Sequence, residues 1–466
     1  MIVVRGYEGK RVGVLGLGRS GLATAAALQA GGAVPVCWDD NKAARDDANA
    51  FEITDLTRDK GWADLVALIV SPGIPHLFPQ PHKAVQNAWR HGVVVDNDIS
   101  LFFQSFTQPE WSMYDHEPKV VCITGSNGKS TTAALIHHIL SAANRPTQIG
   151  GNFGTGALDL DPLIDNEVVI LELSSYQLEL ARTLAPDISV FLNLSPDHLD
   201  RHGGIGGYLA AKSRIFTACA PERAIVGMDQ TEGRFLENRL VQTGTPVIRI
   251  SSSKQEGDGW QVFSKKGFLA EWRKGRQVAS IDLRDMPSLP GSHNRQNACA
   301  AFAVCRSLGL APKVIDAGLR SYAGLQHRCQ KVAEIDGVTY INDSKATNVD
   351  AAGKSLLAFS NIRWIAGGQM KDGGIKPLAD KFARITKAYL IGEAAQEFAD
   401  ALGSTEFEIC ETLEKAVAAA KRDSEKGDIV LLAPACASFD QFKSFEERGE
   451  TFESLVLKDA NVIFHK

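Results

Sequence analysis

The sequence predicts an α/β protein of three domains. Its 466 residues, at roughly 150 residues per domain, allow about three separate cores. Short apolar runs that end at glycine turns or polar residues, each followed by a helical pattern, recur along the whole chain. This alternation is typical of largely parallel sheets covered by helices. We place the domains at residues 1–116, 117–323 and 324–466.

The first domain opens with a strand that leads into a glycine-rich turn. Val12–Leu15 is apolar, Gly16-Leu17-Gly18-Arg19-Ser20-Gly21 follows it, and an alanine-rich helical pattern comes next. A second strand at 34–38 ends at Asp39 and Asp40. This layout predicts a Rossmann-like domain, in which the glycines let a phosphate approach the backbone and an acid meets a ribose. The glycine pattern by itself is only a weak indication of NAD.

The central domain is predicted from one segment that combines a strand, a glycine turn and a helix. Val120–Thr124 is an apolar run, and Gly125-Ser126-Asn127-Gly128-Lys129-Ser130-Thr131 (hereafter the phosphate loop) follows it. Backbone N–H groups of such a turn surround a polyphosphate, while the lysine bridges outer phosphates and the serine holds magnesium. Two residues, not the usual four, separate the glycines. We therefore expect an ATP-binding domain of the P-loop ATPase type with a mostly parallel sheet.

Further polar residues follow the next strands of this domain. Glu172 ends a buried strand, His198 follows another, and Lys212 lies on a helical stretch at 208–216. Glu172 and Ser130 suit a magnesium site, because a hard cation prefers oxygen ligands. Lys212 considered alone would be interpreted as a surface lysine. From about 227 to 285, short alternating runs with glycine turns predict an antiparallel annex.

The C-terminal domain repeats the strand-then-helix rhythm, which predicts a second Rossmann-like domain. We expect its strands at 339–341, 363–366, 388–391 and 429–433. Three cationic residues at strand edges would suit a doubly negative substrate or a transferring phosphoryl group; they are Arg328, Lys345 and Lys371. Taken singly, each is as readily a solvated surface charge.

Composition narrows the class of protein. The net charge of −5 is spread over the chain, which argues against a nucleic-acid footprint. The eight cysteines form no C-x-x-C pair, so a zinc site or disulfide framework is not expected and a reducing compartment is favoured. We find no signal peptide and no apolar run long enough to span a bilayer. We expect a cytoplasmic enzyme without membrane insertion.

Taken together, the motifs resemble those of the Mur ligase family over essentially the whole chain. The phosphate loop with two residues between its glycines is similar to the family's loop. The other matching motifs are Glu172–Glu179, Asp197–Arg201, Ala211-Lys212, His293–Asn297 and His327-Arg328. Within the family, Asn342–Asn348 and Pro434–Lys443 are similar to the members that add D-glutamate.

The resemblance implies an ATP-dependent amide ligase of cytoplasmic peptidoglycan synthesis. ATP would phosphorylate the carboxylate of UDP-N-acetylmuramoyl-L-alanine, and the amine of D-glutamate would attack the acyl phosphate. It further implies two Mg²⁺ ions and a Lys212 carbamylated by carbon dioxide. We expect only these small-molecule partners and a monomeric protein.

The resemblance also implies the site residues. The catalytic set is Lys129, Glu172, His198, Lys212 and Arg328, and the metal ligands are Ser130, Glu172, His198 and carbamylated Lys212. ATP would be bound by Gly125, Ser126, Asn127, Gly128, Lys129, Ser130, Thr131, His293, Asn294, Asn297, Arg328 and Asp343. The UDP substrate would meet Arg19, Ser20, Asp39, Asp40, Gly73, Asn152 and His198, and D-glutamate would meet Lys345, Thr347, Lys371, Ser438 and Phe445.

Three alternatives remain open from the sequence. The first is a ligase with other substrates on the same scaffold, such as a folylpolyglutamate synthase or another muramyl-peptide ligase. The second is an NAD-dependent oxidoreductase built on the N-terminal glycine turn, which leaves the phosphate loop unexplained. The third is a nucleotide-gated binding protein without turnover.

Overall fold

The fold is that of a computed structural model, which describes residues 1–62, 64–107, 111–254, 257–286, 288–370 and 374–458. The strands of this part form three sheets, which are parallel over most of their width and carry helices between successive strands. The predicted α/β class is confirmed. Two compact units are distinguished: Met1–Leu283 with Gln296–Ser321, and Arg284–Arg295 with the chain from Tyr322 onward. The three domain boundaries drawn from the sequence stay predictions.

The N-terminal sheet is parallel throughout, with the order β3-β2-β1-β4-β5. Its strands are β1 (Arg11–Leu15), β2 (Val34–Trp38), β3 (Glu52–Ile53), β4 (Leu65–Val70) and β5 (Val94–Asp96). Its helices are α1 (Arg19–Ala30), α2 (Lys42–Asp47), α3 (Lys83–Arg90) and α4 (Asp98–Ser105). The strand order reverses between β1 and β4, and ligands of such sheets bind beyond the strand ends at this point.

The central sheet has nine strands, in the order β14-β13-β12-β11-β10-β9-β6-β8-β7. They are β6 (Lys119–Thr124), β7 (Thr147–Gly151), β8 (Val168–Glu172), β9 (Ile188–Phe191), β10 (Arg223–Gly227), β11 (Val247–Ser251), β12 (Trp260–Lys265), β13 (Phe268–Arg273) and β14 (Arg276–Asp282). The antiparallel annex is shorter than the predicted 227–285, because β10 and β11 continue the parallel part. Only β12, β13 and β14 pair in antiparallel fashion.

Helices cover this sheet and bury its apolar strands. They are α5 (Lys129–Ala142), α6 (Ser175–Leu180), α7 (Leu199–His202), α8 (Ile205–Thr217), α9 (Thr231–Gln242), α10 (Gly291–Ser307) and α11 (Pro312–Ser321). Leu135, Ile136, Ile139 and Leu140 of α5 are fully buried, as the helical pattern after the phosphate loop predicts. This burial fixes the start of α5, and therefore the loop, against the end of β6.

The C-terminal sheet has the order β15-β16-β20-β17-β18-β19. Its strands are β15 (Gln330–Ile335), β16 (Val338–Asn342), β17 (Ile362–Gly367), β18 (Ile385–Ile391), β19 (Phe407–Glu411) and β20 (Ile429–Leu432). Its helices are α12 (Val349–Ala358), α13 (Ala395–Ala401), α14 (Leu413–Asp423) and α15 (Phe445–Leu457). The four strands expected from the sequence are present, and the two edge strands, antiparallel β15 and parallel β19, were not among them.

A buried arginine joins α15 to the loops that follow β16 and β20. Arg448 is 1% exposed, and its Nη2 donates to the carbonyl oxygens of Ser344 at 2.9 Å and Cys436 at 3.2 Å. Its Nη1 donates to the carbonyl of Ala437 at 3.3 Å, and its Nε donates to Ser344 Oγ at 3.0 Å. Burial lowers the pKa of Arg448 to about 10, so the guanidinium keeps its charge at neutral pH.

We expect Arg448→Met to lower the free energy of unfolding of the C-terminal sheet by about 2 kcal/mol, because buried carbonyl groups lose their donors. Hydrogen–deuterium exchange of β16 and β20 under increasing denaturant measures the change. Arg422→Met is the control, because that arginine is exposed and its ion pairs contribute much less. Equal effects of the two substitutions would contradict the prediction.

None of the helices in the described ranges combines the length and the hydrophobicity needed to cross a bilayer.

Candidate active site

Close packing requires glycine at two positions of the phosphate loop, Gly125 and Gly128. Gly125 and Gly128 have φ values of +150° and +88°. A Cβ atom on Gly128 would lie 2.3 Å from Asn297 Oδ1, and one on Gly125 would lie 3.0 Å from the Cβ of Leu192. A side chain at either position would therefore strain the backbone and crowd the neighbouring atoms. Asn297, a predicted ATP residue on α10, thus lies directly against the loop.

The segment after β9 holds the loop in shape. The backbone N–H of Asn127 donates to Asn193 Oδ1 at 2.9 Å, and Asn193 Nδ2 donates back to the carbonyl of Asn127 at 3.0 Å. Ser126 Oγ donates to the carbonyl of Ser195 at 3.0 Å. Lys129 Nζ donates to the carbonyl of Ser126 at 3.0 Å, so the lysine folds over the loop.

Asn193 and Ser195 were not predicted as site residues. Both follow a buried strand, the same sign that marked Glu172, but an amide and a hydroxyl are common in turns and carry little information alone. Thr131, which was predicted, lies in the first turn of α5.

Ser130, Glu172 and Asn152 meet beside the loop. Ser130 Oγ donates to Glu172 Oε2, and Asn152 Nδ2 lies 3.3 Å from Glu172 Oε1. Glu172 is 2% exposed, and no ion pair joins it to a cationic side chain of the described residues. A buried carboxylate next to a hydroxyl offers the oxygen donors that magnesium prefers. The predicted grouping of Ser130 with Glu172 is therefore present.

Lys212 is buried against the same loop and is not a surface lysine. Its Nζ donates to the carbonyl of Gly125 at 2.9 Å and lies 4.5 Å from the centre of the Tyr208 ring. Burial, and then the nearby charge of Lys129, lower the pKa of Lys212 well below its ordinary value. A neutral amine is the form that reacts with carbon dioxide, so the site suits carbamylation.

Tyr208 completes this side of the loop, and the sequence did not single it out. Its hydroxyl lies 3.2 Å from Ser126 Oγ, and burial raises its pKa to about 12.

His198 lies three residues beyond Ser195 in a left-handed conformation with φ +55°. Its Nε2 is 3.5 Å from Asp197 Oδ2, and its ring centre is 5.1 Å from that of Tyr176.

A cavity of about 490 Å³ lies at the switch point of the N-terminal sheet. Five of the predicted UDP-substrate residues line it: Arg19, Ser20, Asp39, Asp40 and Gly73. Asn152 and His198, the other two, belong to the loops of the central sheet. Helix α1 begins at Arg19, and Gly18 provides no side chain to cap its N–H groups. A phosphate can therefore bind at this helix terminus.

The two aspartates of the cavity have different hydrogen-bond partners. Asp39 accepts backbone N–H donors from Leu17 at 2.7 Å and from Asn41 at 2.8 Å, so it shapes the glycine turn. Asp40 Oδ2 lies 3.0 Å from His82 Nε2, and this bond lowers the pKa of Asp40. Asp40 Oδ1 also accepts from Trp38 Nε1 at 3.2 Å, but the Asp40 side chain is 68% exposed and so is accessible to a base.

Two predicted residues of the second compact unit lie in strained or buried positions at the C-terminal sheet. Arg328 is flanked by His327 and Cys329, which have φ values of +58° and +45°. Asp343 follows β16, and its carboxylate accepts from the backbone N–H of Cys329 at 3.2 Å and from Ser355 Oγ. Burial raises the pKa of Asp343. Left-handed backbone on both sides of a cation is typical of functional sites.

The predicted D-glutamate residues converge in part at the same edge of the C-terminal sheet. Lys345 Nζ lies 3.6 Å from the centre of the Phe445 ring, and the backbone N–H of Thr347 donates to the carbonyl of Lys345 at 2.7 Å. Ser438 is buried in the loop after β20. Lys371 lies outside the described residues.

His293 and Asn294 belong to the second compact unit. Asn294 Nδ2 donates to the carbonyl of Pro290 at 2.8 Å. Burial, and then the charge of Lys354, lower the pKa of His293 to about 4, so its imidazole is neutral at physiological pH. A neutral imidazole can both donate and accept a hydrogen bond.

Two parts of the chain match known protein families. Residues 123–305 match the Mur ligase middle domain, and residues 327–436 match the Mur ligase glutamate ligase domain. The chain belongs to the Mur ligase family. The predicted family and the predicted enzyme class, a ligase, are confirmed.

Two curated relatives carry the name UDP-N-acetylmuramoylalanine–D-glutamate ligase. The one from Cereibacter sphaeroides (strain KD131 / KCTC 12085) is 61% identical over 97% of this chain and 98% of the relative. The one from Dinoroseobacter shibae (strain DSM 16493 / NCIMB 14021 / DFL 12) is 58% identical over 98% of this chain and 100% of the relative.

Solved structures agree with the fold. The crystal structure of UDP-N-acetylmuramate-alanine ligase from Thermotoga maritima aligns with a TM-score of 0.58 at 16% identity, over 97% of this chain and 100% of the other. Escherichia coli FolC in complex with ADP aligns with a TM-score of 0.54 at 20% identity, over 74% of this chain and 91% of the other.

We expect Gly128→Ala to weaken ADP binding by at least tenfold, because its Cβ meets Asn297 and its backbone is left-handed. Titration calorimetry with Mg²⁺ and ADP measures the affinity. Gly206→Ala is the matched control, since that glycine has open space around its missing Cβ atom. Unchanged affinity in Gly128→Ala would show that the loop is not packed as described.

We expect Lys212→Met to raise the free energy of unfolding at pH 7, because the wild-type protein buries an amine that the unfolded chain protonates. The folded pKa is lowered, so the unfolded chain holds more protons up to about pH 10.4, and wild-type stability rises with pH. The difference between the two proteins should therefore shrink toward pH 10. Denaturant unfolding in carbon-dioxide-free buffers tests this, with the exposed Lys265→Met as control. A constant difference would contradict the lowered pKa.

Proposed function

We propose that this protein joins D-glutamate to UDP-N-acetylmuramoyl-L-alanine with the hydrolysis of ATP to ADP and phosphate, in the cytoplasm. The single observation that carries the chemistry is the grouping of Lys129, Ser130, Glu172 and Lys212 around one glycine turn. The choice of substrates is supported by the shared name of relatives that are 56–61% identical over nearly the whole chain.

The reaction needs activation, because a carboxylate is a poor acyl donor. Transfer of the γ-phosphoryl group to the carboxylate replaces oxide with phosphate as the leaving group. The D-glutamate amine then attacks the acyl carbon, and the tetrahedral intermediate expels phosphate. Backbone N–H groups of the phosphate loop and the ammonium of Lys129 stabilise negative charge on the transferring group. Arg328 supplies a second cation in this role.

The donor set beside the loop fits magnesium. Ser130 and Glu172 would hold one ion, and His198 with a carbamylated Lys212 would hold a second. Bound Mg²⁺ supplies neutralising charge to the phosphate oxygens. Addition of carbon dioxide to the neutral amine of Lys212 forms a carbamate and releases a proton, which turns a buried base into an anionic oxygen ligand.

The remaining substrate contacts follow from the two other sites. The diphosphate of the UDP group binds at the start of α1, near Arg19 and Ser20, and the uracil lies near Asp40. Asn152 and Gly73 contact the rest of this substrate. We propose that Lys345 and Lys371 bind the carboxylates of D-glutamate, since two cations suit a dianion, and that Thr347, Ser438 and Phe445 belong to the same binding set. The residues proposed to bind the nucleoside of ATP are His293, Asn294, Asn297 and Asp343. We propose that the protein acts as a monomer.

The test uses UDP-N-acetylmuramoyl-L-alanine labelled with ¹⁸O in its carboxylate, together with ATP, Mg²⁺ and D-glutamate. Mass spectrometry should show the amide product and one labelled oxygen in the released phosphate, because the acyl phosphate passes that oxygen to phosphorus. Lys129→Ala should abolish turnover, and Lys265→Ala should leave it unchanged. Phosphate without label would exclude the acyl-phosphate route.

Matched assays with L-glutamate, L-alanine and diaminopimelate decide between this proposal and another ligase on the same scaffold. Faster turnover with any of these amines would refute the choice of D-glutamate. Binding of NADH that UDP-sugars do not displace would instead favour the oxidoreductase alternative.

A further inference from the structure

A buried cluster behind the phosphate loop links one carboxylate to two histidines. Glu179 in α6 has its Oε2 3.3 Å from His76 Nε2 and its Oε1 3.3 Å from His202 Nδ1. The side chains are 15%, 9% and 0% exposed in that order. Both imidazoles therefore lie at ion-pair distance from one largely buried carboxylate, and neither 3.3 Å contact is a hydrogen bond.

His202 is fixed on its remaining sides as well. Its Nε2 lies 2.9 Å from Ser175 Oγ. Its ring is stacked on Tyr176 at 5.4 Å between centres, and it lies 5.3 Å from the ring of Tyr208 on another side. Glu179 therefore lies against His202, and His202 lies against the Tyr208 ring.

Tyr208 in turn lies against two groups of the proposed chemistry, Lys212 and Ser126. Its ring face is 4.5 Å from Lys212 Nζ, and its hydroxyl is 3.2 Å from Ser126 Oγ. Both Lys212 and Ser126 would lose a neighbour if the ring moved. Because the His202 ring lies 5.3 Å from the Tyr208 ring, a displaced His202 changes the packing of that ring.

His76 connects the cluster to the cavity of the N-terminal sheet. His76 directly follows Ile74 and Pro75, which line that cavity. Arg201 adds a second connection, since its Nη1 donates to the carbonyl of Gly73 at 3.1 Å and its guanidinium lies 4.6 Å from the centre of the Tyr176 ring.

We propose that Glu179 is a positioning residue of the ligase reaction: through His202 and Tyr208 it orients Lys212 and Ser126, and through His76 it anchors the turn that lines the UDP cavity. This inference rests on the proposed function. Glu179 contacts none of the reacting groups described above; it acts through the side chains between them.

The variants are Glu179→Ala, Glu179→Gln and His202→Phe. Glu179→Ala should lower kcat by about 10- to 100-fold, the range found when an orienting partner of a metal-site group is lost. The KM for D-glutamate should stay unchanged. Glu179→Gln keeps the shape and one acceptor oxygen, so it should recover much of the loss. His202→Phe keeps a ring between the tyrosines but loses the contact with Glu179.

A spectroscopic readout separates positioning from mere folding. After equilibration with ¹³C-bicarbonate, the carbamate signal of Lys212 should be smaller in Glu179→Ala and His202→Phe than in the wild-type protein. Glu237→Ala is the matched control, because Glu237 is a buried acid of the same unit, paired with Arg249 at 2.6 Å. It should lower stability but leave the carbamate signal and kcat unchanged.

The double variant Glu179→Ala with His202→Phe should lose no more activity than the worse single variant, because both act through one path. Additive losses, or wild-type kcat and carbamate in Glu179→Ala, would overturn the proposal. If Glu179→Ala does not fold, the kcat and the carbamate signal of Glu179→Gln and His202→Phe test the proposal.

Failure of the proposed function is recognised separately. If the wild-type protein shows neither ligase turnover nor a carbamate signal, the proposed reaction is rejected, and ADP affinity becomes the deciding measurement. The positioning proposal then requires weaker ADP binding in Glu179→Ala and His202→Phe, through Ser126, with Glu237→Ala unaffected. Equal affinity in all these proteins would overturn it.

Discussion

The hydrogen bond from the buried amine of Lys212 to the carbonyl of Gly125 is the contact on which the rest of the site depends. It draws α8 to the phosphate loop and requires a side chain that loses hydration on folding. That cost lowers the pKa of Lys212 well below its ordinary value, which favours the neutral amine. The same burial that costs stability therefore favours the proposed reaction of Lys212 with carbon dioxide.

The glycine turn satisfies several steric demands at once. Gly128 must leave room for Asn297, and Gly125 must pass close to Leu192 with its backbone in the left-handed half of φ. The side chains of Asn193 and Ser126 then complete the hydrogen bonds of the turn. Since contacts within the protein fix the turn, its N–H groups need little reorganisation when charge develops on the phosphoryl group.

The N-terminal cavity combines a dinucleotide-type turn with two aspartates that have different hydrogen-bond partners. Its glycine turn and acidic strand end follow the dinucleotide pattern, but Asp39 is occupied by two backbone N–H donors. Asp40 is the more exposed acid and is held by His82. Asn41 caps α2, since its side chain accepts from the N–H of Ala43.

The sequence by itself determined the α/β class, the strands that end at the sites, the family and the glycine loop. Each of these is written in local order: apolar runs, turn glycines and polar residues at strand ends. Tertiary structure alone decided that Lys212 is buried, that Asn193 and Tyr208 brace the loop, and that Glu179 meets His76 and His202. Those contacts join residues that are far apart in the chain, and a local pattern carries no information about distance in space. The antiparallel annex is shorter than the sequence predicted for the same reason. Whether a strand is parallel or antiparallel depends on the strand beside it, which a local pattern does not reveal.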